Sequence, residues 1–147
     1  MPAKTPAKPA SKGRFSAGEK AAMKDILKER SAGKGEGPAM LKAAIAAMPP
    51  AERALAQRIH DLVVAAAPGL EQKTWYGFPA YAKDGKVVCF FKPGAKFKER
   101  YCTFGFNTPA ALDDGGMWVT SFAVVKPSPA DEAKLTALVK KAAGAGP

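Results

Sequence analysis

The chain has little cysteine and almost no histidine: Cys89, Cys102 and His60 are the whole complement in 147 residues. Two cysteines are too few for a disulfide framework, and with one histidine they do not make the donor set of a zinc site. Long apolar runs are missing as well. None approaches the roughly 18 residues of a membrane span. The opening "MPAKTPAKPASKGRF" lacks the apolar stretch of a secretory signal. These absences lead to the expectation of a cytoplasmic protein without a membrane partner. No GxGxxG, P-loop, GxSxG or HExxH pattern occurs. No nucleophile–base pairing is legible, so the expected function is non-enzymatic.

What the sequence has in excess is positive charge. Lys and Arg number 23 against 13 Asp and Glu, a net charge of +10 and a pI near 9.7. Such a chain is drawn to polyanions. Residues 1–40 carry nine Lys/Arg and four Asp/Glu. Residues 1–15 repeat a Pro-Ala-Lys theme that cannot bury apolar surface, so a disordered basic tail is expected there. It reads either as a solubilising segment or as a weak, nonspecific nucleic-acid contact.

Hydrophobic residues make up 47% of the chain, enough for a core. Residues 16–32 predict a helix opened by a Ser16/Glu19 capping box. Its apolar face, Met23, Ile26 and Leu27, is short, so the helix is expected to be detached or lightly docked. "GKGEGP" follows as a flexible break. Residues 16–36 thus form an N-terminal extension helix and linker ahead of a domain at 37–147. Within that domain Leu41, Ala44, Ile45 and Met48 recur at helical spacing. After Pro49-Pro50, so do Leu55, Ile59, Leu62, Val63 and Ala66, with Glu52, Arg53, Gln57, Arg58 and Asp61 outside the stripe.

Beyond Gly69 the period falls from 3.6 to 2. Strands are expected at 73–82 and 86–91 around an Asp84-Gly85 hairpin turn, then at 100–107 and 117–125. A last helix opens with Ser128, Pro129 and Asp131 and buries Leu135, Leu138, Val139 and Ala142. The fold expected is two-layer α+β: an antiparallel sheet of four to five strands, with N-terminal and C-terminal helices on one face.

"KTWYGFPAYAKDGKVVCFF" concentrates the aromatics. Read as one extended strand, it puts Trp75, Gly77, Pro79 and Tyr81 on one side and Tyr76 and Phe78 on the other. Two large rings bracketing two small residues form a trough. Either a helix presses over Gly77, or the trough faces solvent and takes a flat ligand or a partner. Pro79 gives no N–H, which marks this strand as an edge or as bulged there. The loop "KPGAKFKER" sets Lys92, Lys96, Lys98 and Arg100 around Phe97, a pattern suited to phosphate contact and base stacking or to plain solvation. With Trp118, these residues are the candidate ligand-binding set. If Phe91 pairs with Arg100, Cys89 stands opposite Cys102, as buried thiols or as a redox pair. No catalytic or metal-ligating residue is assigned.

The segments "TWYGFPAYAKDGKVVCFF", "KFKERYCTFGF", "LDDGGMWVTSFAV" and "ADEAKLTALVKKA", preceded by "IAAMPPAERALAQRIHDLVVAAAPGLEQKTWYG", resemble the YdhG-like family of bacterial proteins, a domain of unknown function. The likeness covers about residues 38–143. It implies a fold similar to frataxin. Because one member is assigned as an intracellular iron chaperone, it also implies iron as a cargo. Three readings therefore stand: a binding module for a small or anionic partner, an iron chaperone, and a nonspecific nucleic-acid-associated protein. A homodimer is a further expectation should one sheet face lie open.

Overall fold

A computed structural model describes residues 16–31 and 34–144; the expected tail at 1–15 lies outside the described residues. The chain forms α1 (Ala17–Ser31), a 3-10 turn (Lys34–Glu36), α2 (Gly37–Ala46), α3 (Pro50–Ala66), and strands β1 (Glu71–Trp75), β2 (Phe78–Lys83) and β3 (Lys86–Lys92). A second 3-10 turn (Ala95–Phe97), β4 (Cys102–Phe106), β5 (Ser121–Val124) and α4 (Pro129–Ala142) follow. The sheet is antiparallel in the order β1-β2-β3-β4-β5. The expected two-layer α+β class is what the chain adopts.

The helical stripes pack as their periodicity requires. Leu41, Ile45 and Met48 of α2, Ile59, Val63 and Ala66 of α3, and Leu135, Val139 and Ala142 of α4 are buried in one cluster with Tyr81, Cys89, Phe91, Phe104, Phe106 and Val124 of the sheet. Both capping boxes form. Ser16 Oγ accepts from Glu19 N at 3.1 Å while Glu19 Oε1 accepts from Ser16 N at 2.9 Å. Ser128 and Asp131 exchange the same pair of bonds at 3.1 and 2.8 Å.

Four expectations are corrected. The stretch 73–82 is not one strand. It turns at Tyr76-Gly77, both at positive φ (53° and 83°), and Trp75 faces Phe78 across a two-residue hairpin. Asp84-Gly85 makes a second such turn, with φ of 51° and 79°. Two positive-φ residues match the right-handed twist of the strands they join.

Second, β2 is an interior strand, not an edge, and its bulge falls at Tyr81/Ala82, where Val88 is the extra residue of β3. Pro79 is accommodated because the closing pair Trp75–Phe78 exchanges both hydrogen bonds, so Thr74–Pro79 is a non-bonded pair on that side. On the other side, pairing with β3 begins only at Ala80.

Third, Cys89 pairs with Phe106, not Cys102, because Phe91 faces Phe104 rather than Arg100. The loop after β3 consumes more chain than a tight hairpin would. Fourth, the last strand is confined to Ser121–Val124; residues 117–120 run on without strand structure.

The N-terminal helix also docks by a different face. Gly18, Ala22, Asp25 and Glu29 lie at i, i+4, i+7 and i+11 and meet the sheet end, whereas Met23 and Leu27 are exposed. A side chain at Gly18 would strike the Lys96 carbonyl. Glu29 accepts from Tyr76 N and Gly77 N at 3.1 and 2.8 Å. Polar contacts, rather than an apolar stripe, hold α1 in place.

Candidate functional site

The hairpin at Tyr76-Gly77 dismantles the trough. Tyr81 and Pro79 point into the helix-covered core and are fully buried. Trp75 lies on the opposite sheet face with Phe78 and Phe90, its ring centroid 5.8 and 5.4 Å from theirs. Phe90 in turn lies over Gly105, where a side chain would collide with its ring. The aromatic stretch therefore serves both layers: one set completes the core and the other forms a ring cluster on the outer face. Tyr76, 39% exposed at the turn, joins that cluster edge-on to Trp75 at 4.9 Å.

The basic loop is folded back on itself. Lys92 pairs with Glu99 at 3.0 Å and Lys96 with Asp25 at 2.8 Å. Both ammonium groups sit near the Phe97 ring, at 4.9 and 5.7 Å from its centroid. Arg100 lies over Tyr101 at 5.1 Å. Lys98 is exposed, with its backbone left-handed at φ 57°. Trp118 stands elsewhere, on the segment before β5 near Phe106 and Asn107. Of the sequence-predicted residues, the structure brings only Gly77 and Lys96 to a common concave site.

That site is a groove of about 640 Å³ between α1, α2, the start of α3, β1 and the Pro93–Lys96 segment. One wall is apolar, from Met40, Ala43, Ala44 and Ala47 of α2 with Met48 and Pro49 beyond it. The polar lining is Thr74, three carboxylates (Asp25, Glu29, Glu52) and two ammonium groups (Lys28, Lys96). Locally the carboxylates outnumber the lysines, although the whole chain is strongly basic.

Most of these charges are engaged. Asp25 holds Lys96, and Glu29 caps the hairpin turn. Glu52 differs. In the first turn of α3, its Oε2 accepts from Ala95 N at 3.0 Å, tying the groove floor to the loop. Its Oε1 is buried and meets no N–H or O–H donor among the described residues. A buried carboxylate oxygen without a donor is costly, so it marks a place where a donor belongs.

Cys102 lies close to this carboxylate. Burial pushes its thiol above the ordinary value, a hydrogen bond with the Gly94 backbone opposes the rise, and the Glu52 carboxylate adds to it. The Glu52 carboxylate also takes a side-chain hydrogen bond from the Cys102 thiol, a weak donor that does not replace an N–H or O–H at Oε1. Cys89 is pushed up to about 12 by burial alone. Neither thiol has the electropositive surroundings that make a reactive thiolate.

His60 is half-buried, and its Nδ1 meets the Tyr81 hydroxyl at 2.8 Å. Burial lowers the His60 pKa and raises that of Tyr81. The pair sits between α3 and the sheet as a polar link within the core. Among the described residues, no three His, Cys, Asp or Glu come together to hold a metal ion. No described helix is long and apolar enough to cross a membrane.

Sequence reasoning placed Glu52 among the charges outside an apolar stripe and did not single out Asp25. The one usable signal was the Pro49-Pro50 break, which places Glu52 in a helical first turn facing whatever lies beyond it. Comparison with protein-family models, with curated proteins and with solved structures finds no match.

Proposed function

We propose that the protein is a non-enzymatic binding module whose ligand is a small amphiphile with an ammonium head and an apolar body, seated in the α1–α2 groove. The observation that carries this reading is the buried Oε1 of Glu52, which meets no N–H or O–H donor among the described residues. An N–H donor there supplies the missing hydrogen bond, and a charged donor supplies the stronger kind. The alanine and methionine wall of α2 accepts an alkyl chain, in keeping with small-molecule sites that are mostly apolar with a few placed polar groups. The local excess of carboxylates favours a cation where the molecule as a whole favours anions.

The test is amide NMR on the full chain titrated with n-hexylamine, which is protonated at neutral pH as a lysine is. Parallel titrations use hexanoate, inorganic phosphate and, anaerobically, ferrous iron. The reading predicts saturable shifts with hexylamine at residues 40–48, Glu52, Thr74 and Ala95. Shifts at those positions with hexanoate or phosphate instead would support an anionic partner. Localised broadening with iron near Glu52, Asp61 or Glu71 would support the chaperone reading. Either result without a hexylamine response overturns the proposal.

A further inference from the structure

The last strand closes the sheet, and among the described residues no strand pairs with its outer side. Its hydrogen-bond parity can be read from its neighbour. Phe106 N donates to Thr120 O at 2.7 Å, and the register continues as Phe104–Phe122 and Cys102–Val124. Hydrogen-bonded pairs alternate along an antiparallel ladder. Thr120, Phe122 and Val124 therefore spend their backbone groups on β4. Ser121 and Ala123, with Val125 next in the same alternation, turn theirs outward.

Exposed strand edges in natural proteins are guarded by Lys, Pro, bulges or inward charges. This edge is short, four residues, but it carries no charge or proline guard: residues 117–125, "MWVTSFAVV", contain neither, in a chain that is 24% charged. The same nine residues hold three of the seven exposed large hydrophobics among the described residues: Met117 at 89%, Trp118 at 43% and Val125 at 74%. Open backbone, neutrality and exposed apolar side chains thus coincide in one segment.

We propose that β5 pairs antiparallel with β5 of a second copy of this chain, joining two five-stranded sheets into one. The segment is self-complementary. Centring the two-fold axis on Ala123 sets Ala123 against its own copy and Ser121 against Val125, so all three outward-facing residues bond at once. In that register Lys126 meets Thr120 of the second copy, so two +10 chains join without like charges facing each other across the seam. Met117 and Trp118 run on toward Pro127–Pro129 of the second copy, where an exposed indole has a proline surface to cover. On the helix side, a groove of about 380 Å³ between β5 and α4 leaves room for the incoming side chains. A two-fold pairing of identical surfaces is the commonest closed assembly.

The test is sedimentation velocity of the full chain over a concentration series, beside Ala123→Lys. Ala123 is exposed and sits on the axis, so the substitution puts two ammonium groups face to face without touching the β4 ladder. The wild type is expected at twice 15.4 kDa and Ala123→Lys at the single mass, with Trp118→Ala dimerising more weakly than wild type. Should Ala123→Lys fail to fold, amide exchange of the wild type decides. Slow exchange at Ser121, Ala123 and Val125 that quickens on dilution supports the dimer. A wild type of single mass at every concentration, a dimer indifferent to Ala123→Lys, or a monomer that takes up an extended peptide along β5 would each overturn it.

Discussion

At the scale of single residues, burial decides what the titratable groups do. Cys89 and Cys102 lie in the core with thiols pushed above their ordinary range by burial. At pH 8 neither is expected to react with iodoacetamide while the protein is folded, and both react once denaturant is added. Rapid labelling of the native protein would show that a thiol is accessible and reactive. His60 gives a pH dependence with a definite sign. Its folded pKa lies below the ordinary 6.5 because burial disfavours the imidazolium, so the unfolded chain binds the proton more readily. The corresponding stability is fully present above 6.5 and is lost as the pH falls below it. Asp131 and Glu132 are held below their ordinary values of 3.8 and 4.5, so their window opens only at lower pH. Thermal melts between pH 5 and 7.5 should therefore show a decline that His60→Gln flattens. Tyr81→Phe should cost about 1 kcal/mol at neutral pH by removing the partner of Nδ1.

At the scale of elements, local chemistry proved legible where it is local. The helical stripes of α2, α3 and α4, both capping boxes and the Asp84-Gly85 turn follow from spacing and residue type, and the structure has all of them. The Tyr76-Gly77 turn was hidden because a tyrosine at positive φ is not a turn signal. Its φ is held by tertiary contacts, Glu29 accepting from both turn amides. Missing that turn reversed the facing of Trp75 relative to Tyr81, and the trough went with it. The Cys89–Cys102 register failed for a related reason: the 3-10 turn and its flanks lengthen a loop that the pattern reads as a simple hairpin. Gly77→Ala tests this account of the turn. A side chain there meets the Asp25 carboxylate and the Lys96 ammonium at a φ of 83°, so α1 should be displaced. The expected outcome is faster amide exchange through residues 17–31 with α2–α4 little changed, and a loss of about 1 kcal/mol or more. Uniformly faster exchange across the sheet would mean that the turn supports the whole domain instead. At the other end of the chain, Ser128→Ala removes the cap of α4 and should lower stability by about 1 kcal/mol in denaturant titration.

At the scale of the whole molecule, net charge and local charge point in opposite directions. The composition announces a partner for a polycation, yet the groove between α1 and α2 gathers three carboxylates and holds Lys96 in an ion pair with Asp25. Composition could not reveal this, because the carboxylates arrive from α1 and α3, far apart in sequence, and only the packing of α1 over the hairpin brings them together. The fold class was therefore readable in advance and the groove was not. The measurement that tests its central feature most directly is calorimetric titration of n-hexylamine into the wild type and into Glu52→Gln. Glutamine can keep its carbonyl oxygen on Ala95 N while turning an NH₂ donor to where Oε1 was, so an ammonium group meets a donor instead of an acceptor. Loss of one charged hydrogen bond is worth about 1.5–3 kcal/mol, or roughly a tenfold or greater rise in Kd. That rise, with the folded state unchanged by circular dichroism, is the predicted result. Equal affinity for the two proteins, or no binding by the wild type, would contradict the account.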